Sequence, residues 1–308
     1  MVDERIARRE RRRRQVRRRR ILAAGALAIA LAAVAVAVVS ASGGGDSDRG
    51  RHFTRVADEK TTARPGGAEP QSAGGEVRNA TPQPGWRPYT GPVPILEYHV
   101  LGAAPADEPY PDLYVSRPDF HRQMDWLDEH GYQAVTLEQV EEAWYQGGTL
   151  PRKPVVISFD DGYRPQFTYA LPELRRHGWA GVLNLKAEGS DLYPSNVEAM
   201  IAAGWELAAH TIHHLDLTEL DAAQLKEEVA GSRAILRREY GVPVKNFCYP
   251  AGQFNATVIA AVEAAGYVGA TTEIHGYADR AHPYELDRYE ILGSGGLAGM
   301  IADLRSGA

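Results

Sequence analysis

One cysteine in 308 residues, Cys248, excludes an intrachain disulfide, and no cysteine follows the apolar run near the start to carry a lipid anchor. Basic charge is scarce once the first twenty residues are set aside. Those twenty hold 11 arginines against 3 acids, whereas the rest of the chain holds 23 basic and 37 acidic residues. The overall charge of −6 therefore describes neither part. The acidic remainder excludes nucleic acid as a partner, because phosphate binding needs a basic face. Aliphatic residues are nearly missing from 40–88, which is rich in Gly, Ser, Pro, Arg and Asp. Such a stretch cannot bury enough apolar surface to fold and is expected to be a flexible linker. No internal repeat is visible.

What is present falls into two blocks. Residues 21–39 are Ile, Leu, Ala, Val and one Gly, without a charge. That length just spans a bilayer as a helix. The arginine cluster of residues 1–20 is then a cytoplasmic tail, and the C-terminal bulk lies outside the cell membrane. Val39-Ser40-Ala41 resembles a small-residue cleavage site, so a cleaved signal segment with a secreted domain is the competing expectation. The folded domain is expected over residues 89–308.

Within it, short apolar runs alternate with amphipathic stretches. Strands are expected at 93–100, 133–136, 155–159, 181–186, 205–209, 246–249, 268–272 and 286–292. Helices are expected at 117–130, 137–146, 166–177, 196–203, 219–240 (capped by Thr218) and 256–265. This alternation implies a parallel sheet with crossover connections. At about seven repeats it implies a closed or nearly closed (β/α) barrel of the α/β class.

The stretch Val155-Val156-Ile157-Ser158-Phe159-Asp160-Asp161-Gly162-Tyr163 runs from an inner strand into two adjacent carboxylates. Neighbouring carboxylates repel, and a divalent cation on one leaves the other free to act as a base. His99, Asp160, Asp161 and His210 all fall at the C-terminal ends of expected strands, the rim where β/α barrels keep their chemistry. His210-Thr211-Ile212-His213-His214 spaces two imidazoles four apart, so one helical turn or a tight loop puts both on one side. Two His and one carboxylate suit Zn²⁺ with an open position. They equally suit non-haem iron, so the ligand set alone does not fix the reaction.

Ser158-Phe159-Asp160-Asp161-Gly162, then His210-Thr211-x-x-His214-x-x-Leu217, then Tyr249-Pro250-Ala251-Gly252, resemble in this order three motifs of the polysaccharide deacetylases. That is the carbohydrate esterase family with the NodB-homology domain, and the resemblance spans about residues 92–295. It implies a distorted (β/α) barrel and a metal-dependent hydrolase, most often with zinc, that removes N-acetyl or O-acetyl groups from an acetylated polysaccharide. Matched residue by residue, it implies Asp160 as general base, Asp161, His210 and His214 as metal ligands, and the backbone N–H of Ala251 as an oxyanion donor.

Two departures stand out. The late Leu-x-His that often supplies the proton donor is absent, since Arg288-Tyr289-Glu290-Ile291-Leu292-Gly293 has no His. His99 is the expected replacement, as in the branch resembling exported poly-N-acetylglucosamine deacetylases. Cys248 stands where an Arg usually orients the base, and Arg288 is the expected substitute from the last strand. Tyr163, Trp205 and Phe254 are candidates to line a sugar site, and His121, His130, His177, His275 and His282 are expected on the surface. Peptidoglycan or an N-acetylglucosamine polymer is the leading substrate class. A metal-stabilised glycan-binding module and an amidohydrolase on a non-sugar amide are the alternatives.

Overall fold

A computed structural model describes residues 77–307. The expected basic tail, the membrane segment 21–39 and most of the linker lie outside them. Among the described residues no helix is long and apolar enough to cross a membrane.

Seven strands follow one another around a closed parallel barrel. They are β1 (Ile95–Tyr98), β2 (Pro154–Asp160), β3 (Val182–Leu185), β4 (Glu206–Ala209), β5 (Asn246–Cys248), β6 (Gly269–His275) and β7 (Leu286–Glu290). Closure is made by β1, which pairs with β2 on one side and with β7 on the other. The expected strand at 133–136 exists as Gln133–Ala134 but lies outside the ring, paired only to the start of β2. Each barrel strand alternates. Leu96, Tyr98, Ile157, Phe159, Leu183 and Phe247 pack outward under the helices. Ile95, Val156, Val182, Ala208 and Leu286 fill the middle of the bore with a separate apolar layer. The same period of two sends Glu97, Ser158, Asp160, Asn184, Cys248 and Arg288 inward above that layer, all of them buried.

The folded unit begins before residue 89. Asn79 is buried, its side chain donates to the Ala134 carbonyl at 3.0 Å, and Arg87–Pro88 pairs with Thr149–Leu150. The composition of 40–88 hid this because a few docked residues at its end are diluted by the polar stretch before them.

Helix α1 (Arg117–Glu129) is capped by Ser116, and α2 (Leu137–Tyr145) by a Thr136–Gln139 capping box. The expected helix at 219–240 is interrupted. Leu217–Glu219 is a 3₁₀ turn, and Asp221 rather than Thr218 caps the α-helical turn Ala222–Lys226, accepting from the N–H groups of Ala223 and Gln224. The helix then passes through a π-turn, Glu227–Gly231, before ending at Gly241. A second π-turn, Gln166–Ala170, opens the helix after β2. A π-turn adds a residue to one turn and is frequent at functional sites. Both of these turns carry a side chain that holds a loop at the rim.

The floor of the barrel holds a pair of buried acids. Asn246 Nδ2 donates to Glu141 at 3.1 Å and to Glu206 at 2.9 Å. Gly269 leaves room for them, since a Cβ there would lie 2.3 Å from Glu141 Oε1. Burial, aided by the neighbouring acids, pushes Glu141 up to about 8 and Glu206 to about 7. A carboxyl whose folded pKa is raised holds its proton more tightly folded than unfolded. That stability is complete below the unfolded pKa and disappears as pH rises through 7 and 8. Unfolding in denaturant is therefore expected to show the domain weaker at pH 8.5 than at pH 5 by on the order of 3 kcal/mol. Glu141→Gln should flatten most of that slope; an unchanged slope would remove this pair as its source.

Candidate metal centre

Among the described residues, four that are not glycine adopt a left-handed backbone: Asp161 (φ 75°), Thr211 (φ 63°), His214 (φ 59°) and Ala251 (φ 50°). Three independent rim loops thus carry backbone strain at the positions singled out from the sequence. A β-branched residue there is a genuine outlier, and such strain persists where surrounding structure enforces it.

The turn after β2 explains how adjacent acids come to face one space. Asp160 ends the strand pointing inward, and the left-handed turn at Asp161 brings the second carboxylate back over the rim. Gly162 (φ 80°) completes the reversal at a place where a Cβ would lie 2.4 Å from Ser190 Oγ. Gln166, from the π-turn, donates to the carbonyls of Asp160 (2.7 Å) and His99 (2.9 Å), tying this loop to the end of β1.

His210 to His214 is a loop, not a helical turn. Thr211 Oγ1 accepts from the His214 N–H at 2.9 Å, while Glu228 accepts from the N–H groups of Ile212 and His213 at 3.0 Å each. His213 turns away to Glu228 (2.6 Å) and Glu188 (3.3 Å). His210 and His214 turn inward with ring centroids 4.8 Å apart.

Their Nε2 atoms lie 3.8 and 3.7 Å from Asp161 Oδ1. These separations exceed a hydrogen bond, so the three groups converge without bonding to one another, as donors shared by a cation do. His210 Nδ1 donates to the Cys248 carbonyl at 2.9 Å, which fixes the tautomer and leaves the Nε2 lone pair facing Asp161. Burial holds His210 near 4, hence neutral and ligand-ready at pH 7. Burial alone would raise Asp161, but His210, Lys186 and His214 outweigh it and hold the carboxylate below its usual range. Lys186 Nζ approaches the same Oδ1 at 3.5 Å. Two imidazoles and an ionised carboxylate fit Zn²⁺.

Asp160 is engaged differently. Arg288 Nη1 and Nη2 donate to its two oxygens at 2.9 Å each, Asn184 Nδ2 donates at 2.7 Å, and the Cys248 thiol lies 3.3 Å from Oδ2. Burial opposes ionisation, yet Arg288 and then His210 hold Asp160 far below the carboxylate range. Burial pushes the Cys248 thiol well up, so it is a neutral hydrogen-bonding group and no nucleophile. With Asp160 tied to Arg288 and Cys248 protonated, the neighbouring set Asp160–His210–Cys248 is no competing cation site. Likewise, Arg176 sits among His121, Asp125 and Glu173.

Glu97 is the acid on an apolar strand. It is fully buried, 3.3 Å from Arg288 and 3.8 Å from His99 Nε2. Burial, chiefly, raises its carboxyl well above the usual range. Ala251 occupies a tight turn whose backbone bonds use the N–H groups of Gly252 and Gln253.

Three sequence expectations give way. Trp205 and Phe254 are buried in the core, stacked on Phe159 and Tyr249, so of the candidate aromatics only Tyr163 stays partly open at the rim. His177 is buried against Trp179 rather than exposed, with Asp128 on its Nδ1. A cleft of about 500 Å³ lined by Arg78, Trp86, Asp128, Arg152 and Trp179 opens near the N-terminal ends of the strands, away from the rim. Gln166, Asn184 and Glu228 escaped the sequence reading. Their polar side chains at buried positions were the available signal, but nothing local names their partners.

Residues 147–270 match the family model described as Polysaccharide deacetylase. The Bacillus subtilis (strain 168) protein YxkH is 29% identical over 212 residues, 67% of this chain and 73% of that protein. The poly-beta-1,6-N-acetyl-D-glucosamine N-deacetylase of Escherichia coli (strain K12) is 38% identical over 95 residues, which are 31% of this chain and only 14% of that longer protein. Among solved structures, the Streptococcus pyogenes deacetylase PplD in complex with acetate superposes with a TM-score of 0.65 at 22% identity. That superposition covers 70% of this chain and 99% of PplD and speaks to the fold alone.

Proposed function

From the premise that this chain is an enzyme of the polysaccharide deacetylase family, we propose that it removes acetyl groups from an N-acetylglucosamine-containing glycan with a divalent metal, Zn²⁺ by preference. The single observation that supports this most is the convergence of Asp161, His210 and His214 on one space at the rim, with Asp161 and His214 held there by a left-handed backbone. These three residues would hold the metal, which when bound supplies a Lewis acid and lowers the pKa of water.

Each remaining step belongs to groups of this chain. Asp160, ionised and oriented by Arg288 and Asn184, accepts the proton of the attacking water. Its two oxygens offer about four acceptor sites, and all four are occupied. The Cys248 thiol is the weakest of the donors, so the proton is received on that side. The Ala251 N–H faces the developing oxyanion. His99, at the end of β1, delivers a proton to the leaving amine. Tyr163 offers a ring face to a pyranose beside Lys186, which lies 5.9 Å from the ring centroid. The arginine-rich start and residues 21–39 fit a membrane anchor that keeps this chemistry outside the cell, where such polymers lie.

The test is acetate release from N-acetylglucosamine oligomers, their polymer and peptidoglycan, before and after stripping with a chelator. Release should stop on chelation and return with Zn²⁺. Full activity after the metal is gone would overturn the reading, as would silence of the Zn²⁺-loaded protein on every glycan.

A further inference from the structure

The strand that opens the barrel carries an acid for which the fold makes no visible provision. Glu97 is fully buried, and neither of its carboxylate oxygens has a hydrogen-bond partner among the described residues. Arg288 comes within 3.3 Å of Oε2. Its five N–H groups, however, are directed at the Thr272 carbonyl, Ser158 Oγ, Cys248 Sγ and the two oxygens of Asp160. Charge is unbalanced as well, because Asp160, Glu273 and Glu290 all act on Glu97 against one guanidinium. An uncompensated acid in such a place is costly.

Geometry supplies companions. Glu290 stands directly beside Glu97 in the register of β7 on β1. His99 follows two residues along β1, with Nε2 3.8 Å from Glu97 Oε1. One donor atom from each of the three lies within 4.8 Å of the others. Two carboxylates and an imidazole are a donor set for a divalent cation.

We propose that Glu97, His99 and Glu290 form a second divalent-cation site, weaker than the Asp161–His210–His214 centre, and that filling it inhibits the enzyme by occupying the His99 lone pair. The inhibition rests on His99 as the proton donor proposed above; the site itself does not.

The experiment titrates Zn²⁺ alone into the full chain already carrying one Zn²⁺, read by calorimetry and by metal content per chain, with acetate release followed in parallel. A second, weaker binding event is expected, accompanied by loss of acetate release. Glu290→Gln should weaken that event by about tenfold or more and relieve the inhibition, with the basal rate unchanged. Asp161→Asn should remove the tight event and spare the weaker one. A single Zn²⁺ per chain at saturation would overturn the proposal, as would a second event of unchanged affinity in Glu290→Gln. If no glycan releases acetate, the deacetylase reading fails alone, because stoichiometry still decides the site.

Discussion

Replacing Asp160 by Asn is expected to lower acetate release by about 10²–10⁴-fold, the range that a positioned general base contributes, while the tightly bound Zn²⁺ stays in place. The reason lies in the division of labour at the end of β2. Asp161 points to the imidazoles of His210 and His214, whereas both Asp160 oxygens point to Arg288. An amide at Asp160 leaves the first set intact and removes the only anionic acceptor oriented by Arg288 and Asn184. It also sets an N–H donor against a guanidinium, so metal content and melting temperature have to be read beside the rate. Activity within about threefold of the parent, with metal bound and fold intact, would strip Asp160 of the role. Its four bonds would then be purely structural.

Arg288→Met is the substitution expected to cost most in stability. The guanidinium is 1% exposed and touches Asp160, Glu97, Ser158, Cys248 and the Thr272 carbonyl. Removing one partner of a buried ion pair costs about 3–5 kcal/mol because the other charge is stranded. Here two carboxylates are stranded. For a domain of this size the melting temperature should fall by roughly 10 °C, measured in the metal-loaded state. Adding Glu97→Gln to Arg288→Met should restore part of that loss, since one stranded acid is gone. Arg288→Lys should not, because one ammonium cannot replace five N–H groups in a fixed fork. Arg288→Met melting within 2 °C of the parent would show that the pair contributes little to folding.

Much of the architecture was legible because it is written locally. Apolar runs of strand length, and amphipathic stretches closed by Gly131, Gly178, Gly204, Gly241 and Gly266, placed all seven barrel strands and most helices within a few residues. The errors also have local causes. The helix expected from 219 is broken because Asp221 is a better cap than Thr218, accepting two backbone N–H groups rather than none. Neither π-turn could be foreseen, since each exists to deliver one side chain, Gln166 or Glu228, to a loop remote from it in sequence.

The chain's own order of residues determined the barrel and the gathering of Asp160, Asp161, His210 and His214 at one rim of it, because period, turn chemistry and motif spacing act over a few residues. Only the folded form decided which acid answers to which base. Arg288 meets Asp160 across 128 residues of sequence, Glu97 stands buried beside that pair, and Asp161 faces the imidazoles through a left-handed turn. Such choices depend on which strands become neighbours and which way a side chain points once the ring is closed, and no stretch of sequence contains both ends of the contact.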